Sequence, residues 1–134
     1  MESMIYHLVL EPDFRAQREA AQYTPANLSA DGFVHCSLEA SVVPVANDYY
    51  ADAPAQLLLL EIDPDKLAAE TRYEAAAPIE GGGTAHLENA PVFPHVYGPI
   101  DMAAVVGIGV LGRNADGYHW PRDFVSSNRF FAAQ

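Results

Sequence analysis

The chain has 134 residues and a mass of 14.5 kDa, half of its residues are hydrophobic, and its 18 acidic and 7 basic residues give a formal net charge of −11. A chain of this length is expected to form one domain with its own hydrophobic core. The acidic excess argues against a nonspecific nucleic-acid binder, which needs a basic face to displace counterions, and against docking on anionic membranes. A small phosphorylated ligand stays possible, because one arginine and a helix N-terminus can hold a phosphate.

The chain carries a single cysteine, Cys36, so it can form no intrachain disulfide and no thiolate zinc cluster. Residues 1–10 lack a basic n-region, and His7 interrupts their short apolar run, so they do not read as a signal peptide. No other apolar run approaches the roughly 20 residues that a membrane helix needs. We therefore expect a cytoplasmic protein without a membrane partner.

The first third of the chain alternates short strands and helices. Residues 4–10 predict a buried first strand, because a short apolar run ends before Pro12. An amphipathic helix is predicted over residues 13–23. Residues 33–36 predict a second short strand, since a turn signal, Asp-Gly, directly precedes them.

The second helix is predicted over residues 41–50. Ser41 is favoured as its N-cap over a start at Leu38, because Pro44 then lies in the first turn, where proline is tolerated. Residues 56–62 form the clearest strand, and their continuous apolar run is typical of a central position in a sheet.

The remainder of the chain is mostly strand. Further strands are predicted over residues 71–74, 93–97 and 103–111. Residues 75–90 lose all periodicity and read as a mobile loop with three consecutive glycines, a candidate lid. Gly107 and Gly109 suggest a bulge or a close backbone approach, and the C-terminal residues are expected to fray or to dock on the body. This order indicates an α+β fold.

Three of the five histidines lie inside otherwise apolar strand segments, namely His7, His35 and His95. The ring nitrogens of a buried histidine must be hydrogen-bonded, so three such residues in one small domain suggest a shared polar pocket. For each of them, the alternative is a satisfied core or edge histidine. The three could also bind zinc with one open position, although no HxH or HxxxH pair fixes two ligands locally.

Strand alternation places His35 and Ser37 on one face. Such a pair can act as base and nucleophile, but a third orienting group and a G-x-S-x-G turn are not evident. Ser37 is equally consistent with a helix cap. Cys36 lies on the opposite face and reads as a small core residue.

Four further residues are candidates around this pocket. Arg72 and Glu74 share a strand face, so they either pair with each other or act separately, with Glu74 facing the histidines and Arg72 anchoring a phosphate or carboxylate. Asn47 on the second helix is a ligand-binding candidate or a solvated polar residue. Tyr97 follows His95 in sequence and is a pocket or core residue.

Six segments of the chain carry a family resemblance, and the chain resembles the bacterial domain-of-unknown-function family 952 over about residues 5–110. These segments are IYH at 5–7, DGFVHCS at 31–37, VAN at 45–47, LLLLEIDPDKL at 57–67, RYE at 72–74 and FPHVYGPI at 93–100. The family is similar in fold to ADP-ribosyltransferases. The resemblance therefore implies one α+β domain over residues 1–134, with a split, bent mixed sheet around a cleft, two helices and a C-terminal extension over 111–134.

The same resemblance implies an uncharacterised small-ligand protein that binds or cleaves NAD, or a related nucleotide or ribosyl-phosphate, in a histidine-lined cleft. If it is an enzyme, it is ADP-ribosyl- or glycosyl-transferase-like. His7 matches the first-strand histidine that lies against the ribose of NAD, although Leu8 replaces the glycine that follows. Ser37 could match the nicotinamide pocket. Glu74 is the nearest candidate for the carboxylate that stabilises an oxocarbenium-like transition state.

The predicted site therefore divides into two groups. The catalytic candidates are His35, Glu74 and His7. The ligand-binding candidates are Ser37, His95, Tyr97, Arg72 and Asn47. NAD is the candidate cofactor, and no resident metal is assigned. Two other functions stay open: a noncatalytic module that binds a metabolite or a protein, and a metal-dependent hydrolase that uses the three histidines.

Overall fold

The fold is described by a computed structural model over residues 3–75 and 92–132. Its strands are β1 (Ile5–Leu10), β2 (Gln22–Tyr23), β3 (Val34–His35), β4 (Leu57–Ile62), β5 (Thr71–Ala75), β6 (Val92–Val96), β7 (Ile100–Asp101), β8 (Val105–Asn114) and β9 (Gly117–His119). Its α-helices are α1 (Glu11–Arg15), α2 (Leu28–Asp31), α3 (Glu39–Tyr49) and α4 (Ser127–Ala132). Single 3-10 turns lie at Pro64–Lys66 and Met102–Ala104.

The larger sheet has the strand order β1-β4-β8-β9, and β4 lies in its interior. Along β4 the leucines alternate between two hydrophobic clusters: Leu58 and Leu60 join one, and Leu57 and Leu59 join the other. Both faces of this strand are thus buried, which explains why its sequence is a continuous apolar run. The predicted central strand is confirmed. Every strand pair among the described residues is antiparallel, so the expected mixed sheet is not observed there.

The smaller sheet has the order β3-β6-β5 and carries the candidate site residues. His35 on β3 pairs with His95 on β6, and His95 pairs with Arg72 on β5, so these three side chains share a face. The opposite face supplies Val34 and Val96 to the core. An antiparallel bridge between Tyr6 of β1 and Ser37, which follows β3, joins the two sheets.

The helix predicted over residues 13–23 is wrong in its extent. α1 ends at Arg15, and the chain then turns so that β2 pairs with β7. Phe14 is the buried residue of α1, and Tyr23 reaches the core from β2, opposite Ile100. A tertiary strand pairing has therefore replaced a helix that the local pattern favoured weakly. Two helices were expected, and the described residues contain four α-helices. The two additional ones, α2 and α4, are short and were not predicted.

α3 begins at Glu39, so the predicted N-cap at Ser41 is wrong. Ser37, which forms the bridge to Tyr6, lies two residues before Glu39, so the chain turns directly from the bridge into the helix. Pro44 consequently lies inside the helix, where it removes one backbone hydrogen bond. Val42 and Ala46 are fully buried against the larger sheet, and their packing holds the helix despite the proline.

The C-terminal segment docks on the body. A Cβ atom at Gly109 would lie 2.7 Å from Cβ of Pro121, so the predicted close backbone approach is confirmed at this glycine. In α4, Phe130 is buried, and its neighbour Phe131 stacks on Phe14 at 5.6 Å between ring centroids. The predicted loop over residues 75–90 lies outside the described residues, apart from its first residue, which ends β5. None of the described helices combines the length and apolar character needed to cross a membrane.

Candidate functional site

A cleft of about 630 Å³ lies between β1, β3 and α3. Four of the predicted site residues line it, namely His7, His35, Ser37 and His95. Its volume is within the range of sites that bind small molecules. The structure therefore brings the three strand histidines together on one cavity, as the sequence predicts.

His7 is buried in the wall that β1 contributes. Its Nδ1–H donates a hydrogen bond of 2.7 Å to the backbone carbonyl of His35, and its ring packs against Tyr23 with the centroids 5.9 Å apart. Burial lowers the pKa of His7 to about 4; the hydrogen bond to the carbonyl opposes this shift, and the charge of the His35 ring adds to it. His7 is therefore neutral at pH 7, and its Nε2 is a hydrogen-bond acceptor.

His95 is held from behind by Glu74. The Nδ1–H of His95 donates to Oε1 of Glu74 at 2.8 Å, and the hydroxyl of Tyr97 donates to the same oxygen at 2.7 Å. The bond from Tyr97, followed by that from His95, lowers the pKa of the Glu74 carboxyl. His95 is 3 % exposed and lines the cleft, whereas Glu74 and Tyr97 do not line it. Glu74 thus positions His95 and does not itself reach the cavity.

Phe33 fixes the plane of the His95 ring. The two rings stack with their centroids 4.1 Å apart, and the His35 ring lies 4.6 Å from Phe33. Phe33 was not among the site residues predicted from the sequence. Residues two apart on a strand lie on the same face. The position of Phe33 two residues before His35 is therefore the sequence signal that would have identified it.

His35 and Ser37 approach the cleft from the same strand. His35 is largely exposed, and its Nε2–H donates to the Asp31 carboxylate at 3.0 Å. Ser37 is 6 % exposed and exchanges two backbone hydrogen bonds with Tyr6. The Ser37 hydroxyl has no hydrogen-bond partner among the described residues, and Leu38, not Ser37, precedes α3 as its N-cap.

Arg72 and Asn47 lie outside the cleft lining. The Arg72 guanidinium covers the ring of Tyr97 at 4.3 Å and pairs with Glu70 at 3.1 Å. Asn47 Oδ1 accepts the backbone N–H of Tyr118 at 2.8 Å, so it links α3 to the β9 strand. Both side chains are used for contacts within the protein.

One part of the cleft, which was not predicted from the sequence, is rich in phenol rings and carboxylates. We call this part the tyrosine–carboxylate end; its residues are Asp13, Tyr23, Asp48, Tyr49 and Tyr50. Neither lysine nor arginine occurs among the described residues that line the cleft. The spacing of Ser41, Val45 and Asp48 on one face of α3 was the available signal.

Two other chemistries lose support in the described part of the chain. No three histidine, cysteine, aspartate or glutamate side chains there are arranged to hold a metal ion. Cys36 is 3 % exposed, and burial raises the pKa of its thiol, so it is a protonated core residue and not a reactive thiolate.

Comparison with known proteins identifies both a fold and a family. Residues 8–108 match the family model described as "Protein of unknown function (DUF952)". The crystal structure of protein CC0527 from Caulobacter crescentus is similar at 24% identity with a TM-score of 0.69, covering 87% of this chain and 92% of that chain. The solution NMR structure of CC0527 gives 24% identity and a TM-score of 0.66, with 90% and 93% covered. No curated protein matches the sequence. The likeness to CC0527 shows a small α+β domain with a curled antiparallel sheet, and the family match shows that the chain belongs to the DUF952 family.

Proposed function

We propose that the protein binds the ribosyl part of NAD, or of a related nucleoside, in the cleft lined by the three histidines. The observation that carries this proposal is the state of His7. Because its Nδ1–H is used by the His35 carbonyl and its ring is neutral, the remaining nitrogen can accept a hydrogen bond from a ligand hydroxyl. A ribose offers such hydroxyls.

The arrangement of the two sheets supports the same proposal. The sequence resemblance implies a fold like that of ADP-ribosyltransferases, with a split sheet around a cleft. In this chain the sheets meet at the bridge between Tyr6 and Ser37, beside His7. Ser37 lines the cleft, and its hydroxyl has no partner among the described residues, so it provides a second hydrogen-bonding group for the ligand.

The charge of the cleft favours the sugar over the phosphates as the recognised group. A pyrophosphate is ordinarily held by arginine, lysine or a helix N-terminus, and the described lining contains neither cationic side chain. We therefore expect nicotinamide riboside, which has no phosphate, to bind at least as tightly as NAD. Ribose 5-phosphate is expected to bind more weakly than either.

Acid–base chemistry in this cleft is assigned to His35 and His95. An imidazole that lines the cleft can give a proton to a bound ligand or take one from it, whereas the neutral His7 serves as an acceptor. If the N-glycosidic bond is cleaved, the carboxylates Asp13 and Asp48 supply the negative field that favours positive charge on the ribose carbon. Glu74 supports this chemistry through His95.

The test is a titration of the histidine ring NMR signals with NAD and with nicotinamide riboside, while free nicotinamide is measured. Saturable shifts of His7, His35 and His95 are expected, with the exposed His119 on β9 as an internal control. His7→Gln should weaken binding, and His119→Gln should not. If neither compound moves the cleft histidines at millimolar concentration, the proposal is wrong.

A second candidate function is binding without turnover, as in a sensor of a small metabolite. The position of Glu74 favours it, because this carboxylate is engaged by two hydrogen bonds and lies outside the cleft lining. Saturable binding of nicotinamide riboside without nicotinamide release would support this candidate. Release that disappears in a His95→Gln variant that still binds would support an enzyme.

A further inference from the structure

The tyrosine–carboxylate end of the cleft differs in chemistry from the histidine wall. Three phenol rings and two carboxylates surround it, and no lysine or arginine of the described lining balances their charge. Burial raises the pKa values of Tyr23 and Tyr50, and the charge of Asp13 raises both further. Asp13 therefore lies close enough to act on both phenols, and this end of the cleft is electronegative.

Asp48 lies in the last turn of α3, which contains no basic residue. The backbone carbonyls just beyond the helix are bound by the Arg113 guanidinium, which donates to the oxygens of Ala51 at 2.8 Å and Ala53 at 3.2 Å. Arg113 does not line the cleft, so the negative potential inside the cleft comes from the carboxylates of Asp13 and Asp48.

Tyr23 provides an independent indication that a ligand belongs here. The residue is 3 % exposed and lines the cleft. Phe14 packs against its ring at 5.3 Å with an interplanar angle of 71°. Its hydroxyl has no hydrogen-bond partner among residues 3–75 and 92–132, and because Tyr23 lines the cleft, this hydroxyl is open to a bound group. A group that enters the cleft would complete this bonding.

We propose that the tyrosine–carboxylate end binds an organic cation, an alkylammonium or guanidinium group. The inference rests on the proposed function in taking the cleft as the ligand site, and it adds the chemical class of a second part of the ligand or of a second substrate. Aromatic faces attract cations through their quadrupole, and Asp13 and Asp48 supply the compensating charge. The three histidines then contact neutral hydroxyl groups, and the tyrosine–carboxylate end, where Tyr23 packs beside His7, binds the positive charge.

The test uses two probes that share a shape and differ in charge. Choline and its neutral isostere 3,3-dimethyl-1-butanol are titrated into the protein at low ionic strength, and binding is followed by calorimetry and by the tyrosine ring NMR signals. We expect choline to bind about tenfold more tightly than the alcohol or better, and added salt to weaken its binding. Tyr23 and Tyr50 signals should shift.

Three variants separate local charge from net charge. Asp13→Asn and Asp48→Asn each change an exposed side chain, so both should fold, and each should reduce the preference for choline at least about threefold. Asp65→Asn removes the same charge from the 3-10 turn at Pro64–Lys66, outside the cleft, and should leave the preference unchanged. Binding of the alcohol should be the same in all three.

Four results would overturn the inference. They are equal binding of the two probes, no binding of choline up to about 50 mM, an unchanged preference in both cleft variants, and an equal loss in Asp65→Asn. These outcomes are independent of the ribose proposal, because neither probe contains a sugar or a base. If choline is preferred but nicotinamide riboside does not bind, the cation site stands and the ribosyl function fails.

Discussion

The carboxylate of Glu74 accepts a hydrogen bond of 2.8 Å from Nδ1 of His95, and this bond crosses from β5 to β6. His95 faces the cleft, and Glu74 lies behind it. The sequence predicts Glu74 as a catalytic residue and His95 as a ligand-binding residue; of the two, only His95 lines the cleft. A carboxylate behind a histidine fixes the tautomer of the ring by holding the proton on one nitrogen.

Replacing the Glu74 carboxylate should change His95 before it changes the fold. In Glu74→Gln, the amide is a weaker acceptor, so we expect the His95 ring to populate both tautomers and its ring ¹⁵N signals to move toward each other. Binding of nicotinamide riboside should weaken, and the unfolding midpoint should stay close to that of the parent because the residue is on the surface. Glu70→Gln, at the residue directly before β5, is the matched control. Unchanged His95 signals in Glu74→Gln would show that the carboxylate does not orient the ring.

The buried His7 should make the protein less stable as the pH falls from about 6.5 to about 4. The unfolded chain binds a proton on this residue near pH 6.5, while the folded chain resists protonation down to about pH 4, so the unfolded state binds more protons within this window. The contribution to the free energy of unfolding is about 3 kcal/mol. Urea unfolding at a series of pH values measures it.

The variant His7→Gln isolates this contribution, because glutamine can donate to the His35 carbonyl but does not titrate. The difference in stability between the parent and His7→Gln should change with pH inside the window and be constant above it. His119→Gln should give a curve parallel to that of the parent. A difference that is flat from pH 7 to pH 4 would mean that His7 is not held neutral.

The two glycines Gly109 and Gly112 of β8 should respond differently to alanine. At Gly109 a Cβ atom would lie 2.7 Å from the Pro121 side chain, whereas at Gly112 it would meet nothing within 4 Å. Gly109→Ala should lower the free energy of unfolding by about 1–3 kcal/mol, as overpacking does. Gly112→Ala should stay within about 0.5 kcal/mol. Chemical denaturation of both variants tests this, and equal losses would contradict the close packing of the C-terminal segment.

Asn47 should matter for stability and not for ligand binding. Its Oδ1 accepts the N–H of Tyr118, and Asn47→Ala leaves that largely buried donor without its partner. The expected cost is about 1–3 kcal/mol. Asn128→Ala, on the exposed side of α4, is the control with little expected change. If Asn47→Ala keeps its stability but loses affinity for nicotinamide riboside, Asn47 has the ligand-binding role that the sequence suggested.

The elements that the sequence predicts correctly are those whose patterns are local. The apolar run of β4 and the alternation that places His35 opposite Cys36 are properties of a few adjacent residues. The convergence of His7, His35 and His95 could be expected because each interrupts an apolar strand, and buried imidazoles need partners.

The features that escape prediction depend on residues far apart in the chain. The pairing of Tyr23 with Ile100 belongs to a ladder of only two residue pairs, and no local sequence pattern predicts it. The bond between Glu74 and His95 depends on the register of β5 against β6. The tyrosine–carboxylate end combines Asp13, which precedes the smaller sheet, with residues at the end of α3. Its negative charge could not be predicted, because it depends on both segments lining the same cavity.

The bridge between Tyr6 and Ser37 has a consequence for how the binding site comes into being during folding. His7 belongs to the larger sheet, and the carbonyl that orients its ring belongs to β3 of the smaller one. The ring is oriented only when both sheets are in place, because each sheet contributes one partner of this bond. Ligand binding is therefore expected to appear with the last cooperative step of refolding. A kinetic experiment that follows both backbone structure and ligand-dependent signals should find secondary structure ahead of binding.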